Sequence, residues 1–174
     1  TLLKRLYQLL PLSPGLRFKL GVWTQRWRHS KNLHAALPVV DVALTGVPPV
    51  RAGQPGLRDY VFFGVIDWHF RHQRPQQLAL GLARTGRRVF YVSVNFVDSP
   101  EPGFAIEDLD PTLALYQIQL HVDGPLSVYA QVPNAAQMTQ LQEGLRHLLQ
   151  STSSAWQVHV IEHPFWFELA SFVP

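Results

Sequence analysis

A buried strand, a helix and a second strand follow one another in the middle of the chain, and this succession limits the fold most. Asp59–Ile66 is a short, nearly continuous apolar run, typical of a strand covered on both faces. Arg74–Thr85 is predicted to be a helix with Pro75 in its first turn and Gly86 as its stop. Arg88–Val94 is rich in β-branched and aromatic residues, which favour a strand. Together the three segments have the size of a βαβ unit.

The remainder of the body continues the alternation. Asn134 is the predicted N-cap of a helix, with Gln137 completing a capping box. Leu78, Ala79, Leu82 and Ala83 are predicted to form the inner face of the first helix, and Met138, Leu141, Leu145 and Leu148 that of the second. The other predicted segments are a loop over 95–111, strands over 113–120 and 127–132 paired as a hairpin, a strand over 156–161 and a helix over 164–172. This order predicts an α/β fold with a mostly parallel sheet flanked by helices.

Composition agrees with one folded domain. The chain has 174 residues, of which 47% are hydrophobic and 16% charged, so disorder over the whole chain is excluded. Cysteine is absent, which excludes disulfides, thiolate zinc sites and a cysteine nucleophile. No apolar run reaches the roughly 18 residues that cross a bilayer, and we find no signal-peptide pattern. We therefore expect a cytoplasmic protein.

The charge is unevenly distributed. Residues 1–38 hold seven basic residues and no acidic one, whereas the rest of the chain holds 8 basic and 12 acidic residues. Leu16, Leu20, Trp23 and Trp27 form an apolar stripe within 1–38. This basic amphipathic helical segment either docks on the domain or lies on an anionic membrane surface, which would make the protein peripheral at the inner membrane face. Residues 39–58 are predicted to be a Pro/Gly-rich linker, and no nucleic-acid motif is present.

Ligands of open α/β sheets bind beyond the carboxyl ends of the strands. Three segments meet that condition: 67–74, Asn95–Phe96 and 162–166. Arginines near a helix start favour anions, and Trp68 and Phe70 offer flat faces to a sugar ring. The alternative is that these two aromatic residues cap the sheet. The candidate ligand-binding residues are Trp68, His69, Arg71, Gln73, Arg74, Asn95 and His163.

Several sharper hypotheses fail or stay weak. A G-x-G-x-x-G loop, a P-loop and a G-x-S-x-G elbow are all missing, which disfavours a close-bound dinucleotide and an α/β-hydrolase. The histidines around Asp67 match no metal-ligand spacing, so we expect no metal site. His159 alternates with valines and is expected to be structural. Glu162 beside His163 is a candidate acid/base pair, supported only by their adjacency.

The segment 65–93, VIDWHFRHQRPQQLALGLARTGRRVFYVS, is more specific than these motifs. It resembles the start of the first Rossmann-like domain of GT-B glycosyltransferases of the group-1, family 4-like kind. In that family a strand leads into W-x-x-R-x-Q-R-P-Q-x-L-A, a helix ended by Gly and another strand. HPFWFELA (163–170) is similar to the family's segment after the fourth strand. The matching residues of the main motif are Trp68, Arg71, Gln73, Arg74, Pro75, Gln76, Leu78, Ala79 and Gly86.

The resemblance implies that 59–174 is the truncated acceptor-side domain of a transferase. The acceptor would be a glycan or a lipid-linked glycan. The co-substrate would be a nucleotide sugar held mainly by a carboxyl-terminal domain that this chain lacks, with no other cofactor. No catalytic residue can be carried over to this chain. WHFR stands where the family commonly has a glycine-rich loop, which leaves the acceptor open. The alternative hypotheses are a non-catalytic α/β ligand-binding or interaction domain and a flavodoxin-like or receiver domain. The last would need acidic residues clustered at the strand ends, and Asp67 alone does not provide them.

Overall fold

The computed structural model describes residues 50–172. The predicted amphipathic segment 1–38 and the linker residues 39–49 lie outside the described residues, and so do 173–174. The linker residues that are described, 50–58, form a turn and irregular backbone rather than a helix or strand. The body begins at the first strand, as the apolar run predicts.

Six strands, three α-helices and one 3₁₀ turn make up the described part of the chain. In chain order they are β1 (Asp59–Phe63), α1 (Arg74–Arg84), β2 (Val89–Val92), β3 (Val97–Asp98), β4 (Phe104–Asp108), β5 (Leu115–Val122), α2 (Ala135–Ser151), β6 (Gln157–Ile161), the 3₁₀ turn Pro164–Trp166 and α3 (Phe167–Phe172). The predicted α/β class with a mostly parallel sheet is confirmed.

The sheet has the strand order of a Rossmann-like fold. β1 lies at its centre, parallel to β2 on one side and to β6 on the other, and β2 is parallel to β5. The four long parallel strands thus lie in the order third, second, first, fourth. The order reverses at β1, so the loops after β1 and β6 face a common crevice at the carboxyl edge of the sheet. This reversal decides where the candidate site lies.

The predicted hairpin between 113–120 and 127–132 is wrong, because β5 pairs with β4 and not with 127–132. β4 lies inside the predicted loop 95–111 and pairs antiparallel with β5, with Ile106 opposite Ile118. The segment 127–132 is irregular, because the Ser127 carbonyl accepts hydrogen bonds from Ala130 N and Gln131 N and closes a turn instead. β3, a two-residue strand, also lies in the predicted loop and runs parallel to the end of β5. The apolar alternation of β4 is short and is flanked by prolines and acidic residues, so the sequence pattern indicates a loop there.

Each face of the sheet is covered by helices. α2 and α3 pack on one face with Val61, Phe63, Phe90 and the predicted stripe of α2, whereas α1 covers Phe62, Val89 and Tyr91 on the other. The capping box of α2 is confirmed, since Asn134 Oδ1 accepts from Gln137 N at 2.9 Å and Gln137 Oε1 accepts from Asn134 N at 3.2 Å. The helix therefore begins where its sequence predicts.

The predicted inner face of α1 is wrong at one position. Leu78 is 45% exposed, while Ala79 and Ala83 are buried as predicted and Leu82 is partly buried. The inward row is instead continued by Gln76, which is fully buried. Its amide side chain bonds backbone groups of the preceding loop, so the buried face of α1 runs through Gln76, Ala79 and Ala83 and leaves Leu78 outside it.

Candidate functional site

The candidate site is the carboxyl edge of the sheet around the loop 64–73, which leads from β1 into α1. Because β1 lies between β2 and β6, this loop is flanked by the segments that follow both neighbours. The predicted ligand-bearing segments 67–74, Asn95–Phe96 and 162–166 all follow these three strands. They therefore share one edge, at the point where the strand order reverses.

The carboxylate of Asp67 links two of these segments. Its Oδ2 accepts hydrogen bonds from Ser93 Oγ at 2.8 Å and from Asn95 Nδ2 at 2.9 Å. Its Oδ1 accepts from the His69 backbone N–H at 2.9 Å. Asn95, a predicted binding residue, is thus engaged in holding the rim of the site. Ser93 is fully buried, so the link is anchored in the core.

The backbone of the loop is held from both sides of the sheet. Tyr91 donates its hydroxyl to Ile66 O at 2.9 Å, and Tyr129 donates to Val65 O from the α2 side. Trp166 Nε1 donates to Gly64 O at 2.8 Å. Five backbone carbonyls between 64 and 71 therefore meet side-chain donors, because Gln76 Nε2 also donates to Asp67 O at 3.3 Å and to Arg71 O at 2.8 Å. Such support holds the loop in one conformation before any ligand binds.

Glycine is required at position 64 by close approach. A Cβ atom there would lie 2.8 Å from the ring atoms and hydroxyl of Tyr91. The Tyr91 side chain is fully buried, and burial together with the negative charges of Glu162 and Asp67 raises its pKa. Burial likewise raises the pKa of Tyr129. Both phenols remain protonated at neutral pH and keep donating to the loop.

Trp68 and His69 both contact residues of the sheet, and the His69 side chain remains 52% exposed. The Trp68 ring packs edge-on against Tyr91 at 5.1 Å between centroids, and the backbone N–H of Trp68 donates to Gln117 Oε1 at 3.2 Å. His69 Nε2 lies 3.0 Å from a carboxylate oxygen of Glu107 on β4. The geometry of Trp68 is that of a side chain capping the sheet, which was the alternative reading of this residue.

The four residues 71–74 are exposed to solvent. Arg71, His72 and Arg74 are exposed, and within 50–172 none of the three side chains has a hydrogen bond or ion pair. Gln73 is the N-cap residue of α1, and its N–H donates to Gln76 Oε1 at 3.1 Å. Phe70, just before them, is 38% exposed. This stretch therefore combines free cations with an accessible aromatic ring.

Glu162 and His163 extend β6 and point to opposite sides. Val160 packs in the α1-side core, so Glu162, two residues on, also lies on the α1 side. Its carboxylate has no hydrogen bond to any other residue of the described part. Partial burial raises the pKa of Glu162, and the charge of Arg74 offsets part of that rise. Glu162 therefore offers a hydrogen-bond acceptor on the α1 side of the crevice.

His163 lies on the α2 side, with its ring edge-on to Tyr129 at 6.0 Å. Its Nδ1 accepts a hydrogen bond from Phe165 N at 3.2 Å, so the neutral ring carries its proton on Nε2. Nε2–H is then available to donate to a ligand. His159, expected to be structural, uses its Nδ1 at 2.9 Å from Ala170 O of α3.

The structure thus gathers the predicted residues at one edge and separates their roles. Arg71, Arg74 and His163 are available to a ligand, whereas Trp68, His69 and Asn95 are bonded within the rim. Tyr129 was missed, because its segment was predicted to be a strand. Among residues 50–172, no cluster of three or more His, Asp or Glu side chains is arranged to hold a metal ion.

Comparison with known proteins adds no assignment to this geometry. No protein-family model, curated protein or solved structure matches the chain. Within 50–172, none of the helices combines the length and apolar character needed to span a bilayer. The function must therefore be argued from the carboxyl edge itself.

Proposed function

We propose that the chain is the acceptor-side domain of a GT-B glycosyltransferase and that the carboxyl edge binds its glycan acceptor. The observation that carries the proposal is the position of the W-x-x-R-x-Q-R-P-Q loop. It leaves the central strand where the strand order reverses, with its backbone held by buried donors and its arginines free. A ligand meeting this edge meets a preorganised polar surface.

The chemistry offered there suits a carbohydrate. Glu162 supplies a carboxylate that accepts from sugar hydroxyls; burial raises its pKa, and the nearby charge of Arg74 offsets part of that rise. His163 offers an Nε2–H donor on the other side of the loop. Arg71 adds a charge-assisted donor, and the exposed Phe70 ring offers an apolar face to a sugar ring. The hydroxyl groups of a carbohydrate can bind to such acceptors and donors, and its apolar ring face can pack on an aromatic side chain.

The sugar donor belongs to another part of the proposed transferase. The resemblance implies that a nucleotide sugar is bound mainly by a second domain facing this edge across a cleft. Basic side chains and a helix N-terminus can neutralise a departing diphosphate, so the proposal includes no metal ion. We therefore expect this 174-residue chain to bind acceptor without turning over sugar nucleotides, and robust turnover by it would contradict the proposal.

An array of glycans and lipid-linked glycans tests the binding function. The wild-type chain is compared with Arg71→Ala/Arg74→Ala and with the control Arg84→Ala/Arg87→Ala, which removes the same charge from the other end of α1. We expect binding of a restricted set of glycans, weakened at least tenfold in the first variant and retained in the control. A chain that binds no glycan, or two variants that bind equally, would overturn the proposal.

Location is part of the same proposal. The basic segment 1–38 is proposed to bring the transferase to an anionic inner membrane face from the cytoplasm, because its cations and tryptophans suit lipid headgroups. Vesicle co-sedimentation of the chain with and without residues 1–38 tests this. Equal binding by the two would reject the role of the segment.

A further inference from the structure

The amino edge of the sheet, where β1, β2 and β6 begin and α1 ends, carries a basic and aromatic surface. We call it the amino-edge patch and define it as Leu57, Arg58, Arg84, Arg87 and Trp156. Trp156 is 71% exposed and Leu57 37%. The guanidinium carbon of Arg58 lies 5.9 Å from the centre of the Trp156 ring. Large apolar side chains and cations are thus side by side in contact with solvent.

The three arginines of the patch have no acidic partner within residues 50–172. Arg58 and Arg87 instead lie over aromatic rings, the latter 5.9 Å from the centre of the Tyr60 ring. Arg84 stands exposed in the last turn of α1. Their charges are therefore left to attract an anionic partner.

The acidic residues of this edge are already used. Asp59 is buried against Arg88, with Nη2 2.5 Å from Oδ2, and it also accepts from Ser154 Oγ at 2.6 Å. Asp108, at the end of β4, pairs with Arg51 at 2.8 Å. Asp110, in the loop between β4 and β5, accepts hydrogen bonds from Thr112 and lies near the charge of Arg51. None of these three carboxylates forms an ion pair with an arginine of the patch, which therefore keeps its positive charge.

The chain joins the domain at this same edge. Arg51 N donates to the Tyr116 hydroxyl at 2.8 Å, and the Arg51 carbonyl accepts from Arg88 Nη1 at 3.5 Å. In the sequence before this point, residues 1–38 hold seven basic residues and no acidic one, and 39–50 hold a single acidic residue, Asp41. The positive surface therefore lies at the edge where the described part of the chain begins.

We propose that the amino-edge patch is a docking surface for an anionic lipid membrane. Tryptophan favours the membrane–water interface, and an arginine next to it can reach lipid phosphate while its stem covers apolar surface. Nucleic acid fits less well, because Arg58 already lies over the Trp156 ring that a base would stack on. Leu57 adds apolar area that a phosphate backbone does not use.

Docking by this patch orients the domain. The carboxyl edge lies at the opposite end of the strands and would face the aqueous phase. The acceptor would then be reached away from the bilayer, as an extended glycan rather than a lipid headgroup in the membrane plane. The surface proposal stands on the amino edge alone and holds whether or not the carboxyl edge binds a glycan.

Vesicle flotation of the complete 174-residue chain tests the proposal. Phosphatidylcholine vesicles with and without phosphatidylglycerol are compared for the wild type, Arg84→Gln/Arg87→Gln and the control Arg71→Gln/Arg74→Gln. Both variants lose two charges from α1 and its flanks, at opposite ends of the domain, and both keep residues 1–38. Each basic residue near an anionic surface contributes about fivefold in partitioning. We expect a drop of at least tenfold in the amino-edge variant, less than about twofold in the control, and no binding to phosphatidylcholine alone.

A second variant guards against loss of folding. Trp156→Ala removes a side chain that is 71% exposed, so it should leave the thermal transition unchanged and still lower vesicle binding. The proposal is overturned when both arginine variants bind like the wild type, or when both lose binding equally. Binding of a single-stranded oligonucleotide is measured at the same ionic strength. The proposal is also overturned when Arg84→Gln/Arg87→Gln and Trp156→Ala weaken oligonucleotide binding and leave vesicle binding unchanged.

Discussion

The two edges of the sheet use polar side chains in opposite ways. At the amino edge the charges of Asp59 and Arg88 are buried against each other, and the arginines of the amino-edge patch surround them on the surface. At the carboxyl edge the buried groups are neutral donors such as Tyr91 and Trp166, which hold backbone carbonyls. Within residues 50–172 both edges carry arginines without an ion pair, but a buried charge pair joins the strands at the amino edge, whereas buried neutral donors hold a loop at the carboxyl edge.

The largest expected effect is on the amino edge. Asp59→Ala leaves the buried Arg88 guanidinium without its counter-charge, and we expect it to lower the free energy of unfolding by about 3–5 kcal/mol. The matched control is Asp108→Ala, which removes an exposed ion pair to Arg51 and should cost less than about 1 kcal/mol. Urea unfolding followed by circular dichroism measures both. Similar losses in the two variants would remove the distinction between the buried and the exposed pair.

A smaller effect is expected at the carboxyl edge. Gly64→Ala places a methyl group against the buried Tyr91 ring and should cost about 1–3 kcal/mol. Gly81→Ala on α1 is the control, since nothing lies within 4 Å of its added Cβ and alanine favours a helix. Thermal unfolding should show a lower midpoint for the first and an unchanged or higher midpoint for the second. A neutral Gly64→Ala would mean that the loop is not held as closely as described.

The hydrogen bond from Tyr129 to the loop after β1 is expected to affect the stability of that loop only. Tyr129→Phe removes the hydroxyl that donates to Val65 O, and a hydrogen bond of this kind contributes about 1 kcal/mol. Amide hydrogen exchange should become faster within 64–73 and stay unchanged in β5. Uniformly faster exchange across the sheet would instead assign Tyr129 to global stability.

The smallest effect is the pH dependence due to Glu162. Because partial burial raises its pKa, the folded chain keeps this proton to a higher pH than the unfolded chain does. The contribution of Glu162 to stability is therefore largest at low pH and falls as pH rises from the ordinary glutamate range through the raised value. In Glu162→Gln this dependence is absent, so the stability of the wild type relative to the variant should decrease with pH. A constant difference would contradict the assigned environment.

The local patterns were predictable and the long-range pairings were not. The βαβ unit and the capping box at Asn134 follow from apolar runs and cap residues that act within a few positions. β4 was hidden because Phe104 and Ile106 mark only a short alternation between prolines and acids. Whether a segment pairs with β5 depends on residues far away in the sequence, and local propensity does not record that.

The same limit applies to the site. The loop 67–74 was predicted to lie at the carboxyl edge because parallel strands end together, and the structure has it there. The roles within the loop could not be predicted, since the contact of Trp68 with Tyr91 and that of Tyr129 with Val65 exist only in the fold. Leu78 was misassigned because a polar residue, Gln76, occupies the buried face of α1, and the apolar pattern alone does not indicate a buried amide.

The most direct test of the carboxyl edge is amide chemical-shift mapping of the 174-residue chain titrated with a glycan that the array selects. We expect saturable shifts confined to 64–74, Asn95 and 162–163, with the amide shifts around the amino-edge patch unchanged. Shifts centred on the amino edge, with the loop after β1 unaffected, would contradict this expectation.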